Sequence, residues 1–172
     1  MWRQNKYLRF EAVSYAIIYA LNPNPKYRYF ELIDDRGGDC TNFISQCLFA
    51  GGAQMNYGGS WNWWYSKNTS NVMNDTWSIS WAVAHSLYYY LKNNEATNSP
   101  YVKGLELPNA NSLELGDLIF YEDNNRKIFH STIVTSILNG IPLVSQHTYN
   151  ALNIYYQNSW KAKKYHYIKI II

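Results

Sequence analysis

The order of apolar and polar residues divides the chain into a helical first half and a strand-rich second half. Apolar residues recur at helical spacing over residues 10–21, and the sequence NPNP at 22–25 ends this pattern. The spacing predicts a first helix whose apolar stripe faces the core. The stripe comprises Phe10, Val13, Ile17, Ala20 and Leu21.

A second helix is predicted over residues 40–50. Asp39 is a favourable N-cap residue, and the pair Gly51-Gly52 gives a stop. Its apolar face is formed by Phe43, Ile44, Cys47 and Leu48.

Residues 51–76 read as a long loop rich in Gly, Asn and Trp. Loops of this length are uncommon unless they are functional. The loop contains Trp61, Trp63 and Trp64, which could wall a substrate groove or pin the loop onto the core. A third helix is predicted to follow, with Trp77, Trp81, Ala84, Tyr88 and Leu91 at helical spacing.

The second half is predicted to form strands at 117–121, 129–137, 142–148 and 165–172. Asn139-Gly140 lies between the middle two and is a strong hairpin turn sequence. Helices followed by an antiparallel meander indicate an α+β fold, with N-terminal helices packed on a C-terminal antiparallel sheet.

Composition narrows the class of protein. A chain of 172 residues with 47% hydrophobic and 16% charged residues suits one globular domain, over residues 1–172. The net charge of +3 and the single short basic run at 161–164 argue against nucleic-acid binding. We expect a monomer.

No apolar run approaches the roughly 18 residues that a membrane span needs, so stable membrane insertion is not expected. Glu11 and Ser14 interrupt the apolar N-terminal segment, which therefore does not resemble a signal peptide. A cytoplasmic location is the default expectation, and action at the cell wall would need another export route.

The two cysteines, Cys40 and Cys47, are two helical turns apart, about 10 Å of rise, so a disulfide is not expected. The chain has no Cys-x-x-Cys pair, and none of its four histidines forms a His-x-x-x-His pair. Neither a metal site nor a cofactor is expected.

The helical spacing gives the cysteines different roles. Cys47 lies on the apolar face and is predicted to be a core residue. Cys40 begins the helix, where unpaired N–H groups and the helix dipole favour its thiolate. These residues leave two readings of Cys40 open: a nucleophile and a partly buried, inert thiol. The preceding Gly37 and Gly38 would give a substrate room to approach.

A nucleophilic cysteine needs a histidine base and a group that orients it. His85 and His166 are predicted to be structural. If Asn139-Gly140 is a two-residue turn, His130 and His147 become diagonal neighbours on one face of the hairpin. His130 is then the base and His147 its orienting partner, with Asn150 as the alternative. A bulge would reverse this parity and bring the other face of 142–148 to His130.

Four motifs resemble the cysteine amidase domain family (amidase type 6). They are DCTNFISQCLFAGG at 39–52, LELGDLIFY at 113–121, FHSTIV at 129–134 and QHTYN at 146–150. The resemblance covers nearly the whole chain. One departure is Asn150, where the family usually has Asp.

The resemblance implies a papain-like fold, similar to the NlpC and CHAP cell-wall hydrolases. It implies Cys40 as nucleophile, His130 as base and a polar third residue. It also implies hydrolysis of amide bonds, in peptidoglycan stem peptides or at the muramoyl-alanine link. Asp39, Trp61 and Trp64 are the expected substrate-binding residues. Two other functions remain open: a non-catalytic module that binds cell-wall glycopeptide, and a cysteine acyltransferase.

Overall fold

Helices occupy the first part of the protein in a computed structural model that describes residues 6–34 and 36–172. The predicted domain over 1–172 thus includes residues 1–5 and Asp35, which lie outside the described residues, as does the start of the N-terminal segment considered for a signal peptide. The longest described helix has 13 residues, against the roughly 20 that cross a bilayer. The helices are α1 (Arg9–Tyr19), α2 (Cys40–Ala50), α3 (Ile79–Ala82) and α4 (Ala84–Ala96).

Two short antiparallel pairs of strands lie among the helices: β1 (Leu32–Ile33) with β2 (Arg36–Gly37), and β3 (Tyr65–Ser66) with β4 (Thr76–Trp77). The main sheet is antiparallel and has six strands in the order β5-β10-β6-β7-β8-β9. They are β5 (Lys103–Leu107), β6 (Leu118–Glu122), β7 (Ile128–Leu138), β8 (Ile141–Gln146), β9 (Ala151–Tyr155) and β10 (Lys164–Ile171). This architecture confirms the predicted α+β class, and β5 and β9 are strands that the sequence did not predict.

Each face of the sheet is covered by apolar side chains. The helices pack on one face, where Phe43 of α2 and Leu91 of α4 share a core with Ile133 of β7. On the opposite face, Val134 and Val144 pack with Tyr156 in a second cluster. Side chains on β7 and β8 therefore belong to either the helical face or the opposite face, according to their parity.

The predicted stripe of α1 is only partly correct. Phe10, Ile17 and Leu21 are 79%, 44% and 52% exposed, whereas the buried residues are Val13 and three alanines, Ala12, Ala16 and Ala20. Alanines allow α1 to lie close to the end of α2. A Cβ added at Gly51 would lie only 3.0 Å from that of Ala12.

The predicted third helix is divided. Trp77 lies in β4, and the extended Val83 (φ −118°, ψ 120°) separates α3 from α4. Just before this break, the carbonyl of Trp81 accepts a hydrogen bond of 2.8 Å from Ser45 of α2. The Trp81 side chain is fully buried and therefore still belongs to the core, as its spacing indicated.

The turn of the β7–β8 hairpin was predicted correctly, but the register beyond it was not. Asn139 and Gly140 have φ values of 50° and 78°, and Leu138 pairs with Ile141. The predicted pairing continues to Ser136 and Leu143, after which a bulge at Thr135 shifts it by one residue. Thr135 Oγ1 is held by hydrogen bonds with Ser145 Oγ (2.6 Å) and Asn153 Oδ1 (2.7 Å). The shift exchanges the faces of Gln146 and His147.

Candidate active site

Cys40 is the first residue of α2 and is 6% exposed. The start of the helix is tied to the turn after β8, because Asp39 N–H donates to Thr148 Oγ1 (2.8 Å). Gly38 has a φ of 94°, and a Cβ added there would lie 2.5 Å from the same oxygen. The room that we predicted for substrate at Gly38 is therefore filled by Thr148.

Asp39 precedes α2 as predicted, but its carboxylate does not cap the helix. Oδ1 accepts hydrogen bonds from Phe30 N (2.9 Å) and Asn42 Nδ2 (2.8 Å), and Oδ2 bonds to His147 Nδ1 (2.5 Å). The residue is 1% exposed. The expectation that Asp39 binds substrate is corrected by this geometry, since its oxygens are already occupied inside the protein.

His147 faces the helices and not His130. Its Nδ1 bonds to Asp39 and its Nε2 donates to the carbonyl of Tyr19 at 2.8 Å. The ring stacks on Phe43 with the centroids 4.1 Å apart. Because both ring nitrogens have acceptors elsewhere, the predicted role of His147 as the orienting partner of His130 is wrong. The physical reason is the bulge at Thr135, which turns residue 147 to the helical face.

The partner of His130 is Gln146. His130 Nε2 lies 3.0 Å from Gln146 Oε1, and both side chains are almost fully buried on the face opposite the helices. Ser159 Oγ donates to the same Oε1. Asn150, the alternative partner in the sequence prediction, is exposed.

The hydrogen bonds around Gln146 fix the tautomer of His130. Gln146 Nε2 donates to the carbonyl of Tyr149 (3.0 Å), which can only accept, so the amide oxygen must face His130. His130 Nε2 then carries a proton in both the neutral and the charged ring, and in the neutral ring Nδ1 has the lone pair. This is the tautomer that a base needs if the thiol lies on the Nδ1 side.

The electrostatic surroundings of Cys40 favour its thiolate. Burial raises the pKa of the thiol, but the charge of His130 and hydrogen bonds from His130, Thr41 and the Ser131 backbone outweigh burial and lower the pKa from 9.0 to about 7. Burial without such partners raises the pKa of Cys47 well above its usual range. Cys47 is fully buried, which confirms it as a core residue.

Aromatic rings pack on His130, and one of them is Tyr121, whose ring centroid is 5.2 Å from that of His130. Trp160 lies 5.6 Å from His130 between ring centroids, and Tyr149 packs on Trp160 at 5.1 Å. Tyr149 is 67% exposed, whereas Trp160 Nε1 is buried without a hydrogen-bond partner among the residues described. Trp160 therefore belongs to the surroundings of His130, and the exposed Tyr149 packs on it.

The tryptophans of the long loop divide between core and surface. Trp63 is fully buried, packs on Trp81 and donates through Nε1 to Ser45 Oγ (2.9 Å). Trp61 is 44% exposed and Trp64 is half-buried, and both line a cavity of about 600 Å³. Neither Cys40 nor His130 lines this cavity, so the structure does not bring the two groups of predicted site residues together.

The remaining histidines lie elsewhere. His166 is buried, and its two ring nitrogens bond to Glu106 (2.7 Å) and Glu122 (2.8 Å), which agrees with the predicted structural role. His85 Nδ1 accepts a hydrogen bond from the backbone N–H of Ile128 (3.2 Å). Over residues 6–34 and 36–172, no three His, Cys, Asp or Glu side chains form a cluster suited to a metal ion.

Sequence reasoning missed Gln146, Ser159 and Trp160. Gln146 was placed on the wrong face because nothing in the sequence marks Thr135 as a bulge. Ser159 and Trp160 follow a short helical turn at Tyr156–Asn158, outside any periodic pattern, so no sequence feature connected them with His130.

Comparison with known proteins finds one matching family model and two relatives of uncharacterized function. A family model described as "Putative amidase domain" matches residues 6–171. The uncharacterized protein YhbB of Bacillus subtilis is 37% identical over 152 residues, which cover 87% of this chain and 44% of that protein. The uncharacterized protein YjcM of the same organism is 29% identical over 156 residues, covering 86% of this chain and 32% of that protein. The chain therefore spans less than half the length of these relatives, and no solved structure matches it.

Proposed function

The chain belongs to the amidase domain family, and on this premise we propose that it is a cysteine amidase or peptidase. Cys40 would be the nucleophile, His130 the base and Gln146 the residue that orients the base. The observation that carries this proposal is the position of Cys40 at the start of α2 beside His130, whose ring is oriented by Gln146. The lowered pKa of the thiol agrees with this placement.

The proposed reaction begins with the Cys40 thiolate and protonated His130. The sulfur attacks the amide carbonyl carbon, and the backbone N–H groups at the start of α2 stabilise the oxyanion that forms. The carbon–nitrogen bond then breaks, and His130 gives its proton to the leaving amine. This leaves an acyl thioester on Cys40 and a neutral His130.

Water completes the cycle. His130 takes a proton from a water molecule, which attacks the thioester carbon and releases the carboxylic acid and the thiolate. Gln146 accepts from His130 Nε2–H throughout, so the ring keeps its orientation as it gains and loses a proton at Nδ1. Because Cys40 is 6% exposed, the side chains that cover it would have to move outward for a substrate to enter.

The proposed substrate is peptidoglycan, at a stem-peptide bond or the muramoyl-alanine link. This follows from the likeness of the motifs at 39–52 and 129–134 to those of cell-wall hydrolases. We propose a papain-like arrangement for the same reason: a cysteine that opens a helix and a histidine on a strand of the following sheet.

Digestion of purified peptidoglycan, followed by mass analysis of the fragments, tests the proposal. We expect new free amines on stem peptides, or release of whole stem peptides from lactyl groups. Cys40→Ala should abolish this release, whereas Cys47→Ala should retain it with some loss of stability. Equal activity of folded Cys40→Ala and wild-type protein would refute the nucleophile, and absence of cleavage of every wall type would refute the substrate.

A further inference from the structure

The cavity beside the long loop is separate from Cys40 and has its own chemistry. We call it the tryptophan pocket, and its principal residues are Trp61, Trp64, Trp77, Tyr89, His85 and Asn62. At about 600 Å³, it is in the size range of small-molecule sites. Aromatic rings from the loop face side chains from the start of α4.

The walls of the pocket are held by hydrogen bonds and ring contacts within the protein. Trp64 N–H donates to Ser78 Oγ (3.0 Å), and Ser78 N–H donates to the Trp64 carbonyl (3.0 Å). The Trp64 ring stacks on Tyr57 with the centroids 5.7 Å apart. A pocket fixed in this way binds a ligand with little cost in ordering.

The lining contains no Asp, Glu, Lys or Arg. It combines aromatic rings with hydroxyl and amide groups, from Ser60, Asn62, Ser80 and Ser86. A nucleotide would need cations for its phosphates, and a charged peptide would need ionic partners. A saccharide ring satisfies both features, because its C–H face stacks on an aromatic ring while its hydroxyls bond to polar side chains.

His85 supplies a placed hydrogen-bond donor. Its Nδ1 accepts the N–H of Ile128, so the proton of the neutral ring is on Nε2. No partner for Nε2 occurs in the described part of the chain, and the ring lines the pocket with Tyr89 against it at 4.8 Å. His85 therefore has one nitrogen used by the fold and one N–H available for an oxygen of a ligand.

From these observations we propose that the tryptophan pocket is a non-catalytic binding site for an uncharged saccharide ring. Trp61 and Tyr89 provide stacking surfaces and His85 Nε2–H donates to a hydroxyl or acetamido oxygen. The role of this pocket in holding the glycan part of the substrate rests on the proposed amide hydrolysis. Binding of the saccharide itself does not require Cys40.

Calorimetric titration of Cys40→Ala protein with chitotetraose, an uncharged N-acetylglucosamine oligomer, tests this site. We expect binding that Trp61→Ala and Tyr89→Ala each weaken about tenfold. Both residues are 44% exposed, so the core should tolerate the changes. Tyr155→Ala, which removes an aromatic ring that is 37% exposed on β9, is the matched control and should leave binding unchanged.

Three results would overturn the saccharide site: no binding at millimolar chitotetraose, equal binding by Trp61→Ala, or binding of a sugar-free stem peptide in its place. The proposed function is judged separately, by cleavage of a sugar-free amide by the wild-type protein. Cleavage without chitotetraose binding would refute only the saccharide site. Chitotetraose binding without cleavage of any amide would refute only the enzyme.

Discussion

His130 and His147 are both about 1% exposed and lie on the two halves of one hairpin, but the protein holds them differently. His147 is fixed at both ring nitrogens, by a carboxylate and a carbonyl. His130 bonds through Nε2 to Gln146, and its other contact is with the Cys40 thiol, whose pKa is lowered by the charge and the hydrogen bond of His130. The difference shows that burial alone does not distinguish a histidine fixed by the fold from one that contacts a cysteine thiol. What separates them is whether a ring nitrogen remains available.

The other two histidines extend this comparison. His166 is held at both nitrogens, like His147, whereas His85 is held by the fold at Nδ1 and His130 at Nε2. The four histidines thus divide into two whose ring nitrogens are both bonded within the fold and two, His130 and His85, with one nitrogen left for other contacts. The predictions below test this division, beginning with the largest expected effect.

Replacing the two hairpin histidines should give opposite results. His130→Ala should lower turnover by about 1000-fold, because the base is removed. His147→Ala should lower the free energy of unfolding by about 3 kcal/mol, because it leaves the Asp39 carboxylate buried without its partner. Amide hydrolysis and urea denaturation measure the two effects. If a stably folded His147→Ala protein is as inactive as His130→Ala, the division fails.

The thiol titration should respond to one histidine only. In the wild-type protein we expect the absorbance of the thiolate near 240 nm to rise with a midpoint at a pKa of about 7. Activity should rise over the same interval, because the protonated thiol is a poor nucleophile. His130→Ala should move the pKa of Cys40 up toward its ordinary 9.0, about a hundredfold change in the thiolate equilibrium. A comparable shift in His147→Ala would contradict the assignment.

Gln146→Ala should lower kcat by about tenfold with little change in KM, because His130 loses the acceptor that fixes its tautomer and orientation. Gln146→Glu keeps an acceptor and should restore part of the rate. Asn150→Ala is the control, since Asn150 is exposed at the following turn and should tolerate the change. A larger loss in Asn150→Ala than in Gln146→Ala would overturn the orienting role of Gln146.

The smallest expected effect is on the pH dependence of stability, through the hydrogen bond between His166 and Glu106. Burial raises the pKa of Glu106, but hydrogen bonds from His166, Tyr88 and Lys92 outweigh it and lower the pKa from 4.5 to about 2. The ionised Glu106 therefore stabilises the fold above about pH 4.5, and this contribution is lost as the pH falls toward 2. Solvent screening should keep it to about 1 kcal/mol or less. Glu106→Gln should flatten the decline in thermal stability between pH 4.5 and 2, and an unchanged slope would contradict it.

Much of the fold could be predicted from the sequence because local patterns determine it. The helix at 40–50, the Asn139-Gly140 turn and four strands of the sheet follow from spacing and turn chemistry. The strand β5 includes Gly104, which lies against Ile168 and Leu91, so its place depends on tertiary packing. The face of α1 was misjudged for a similar reason, since close approach to α2 favours alanines over the larger Phe10 and Ile17.

The candidate site could be predicted only as far as its position along the chain. Cys40 and His130 were identified from a helix start and a strand, and the structure places the charge of His130 near the thiol. Which residue lies beside His130 depends on which face of the sheet each side chain of β8 occupies. The bulge at Thr135 reverses these faces, and no local sequence pattern predicts it. The sequence left open whether the loop tryptophans wall a groove or pack on the core, and the cavity that Trp61 and Trp64 share with His85 depends on long-range packing.

The bulge at Thr135 also means that the number of residues in β7, and not only their identity, determines which side chains meet at the candidate site. Thr135 lies five residues from His130 along β7, yet it decides whether a glutamine or a histidine stands next to that ring. Deleting this one residue would restore the regular ladder and exchange Gln146 for His147, while every residue of the site kept its identity. A homologue with a one-residue gap here would carry the same motifs with a different side chain beside its histidine, so alignments of this family must place that gap before residues are compared.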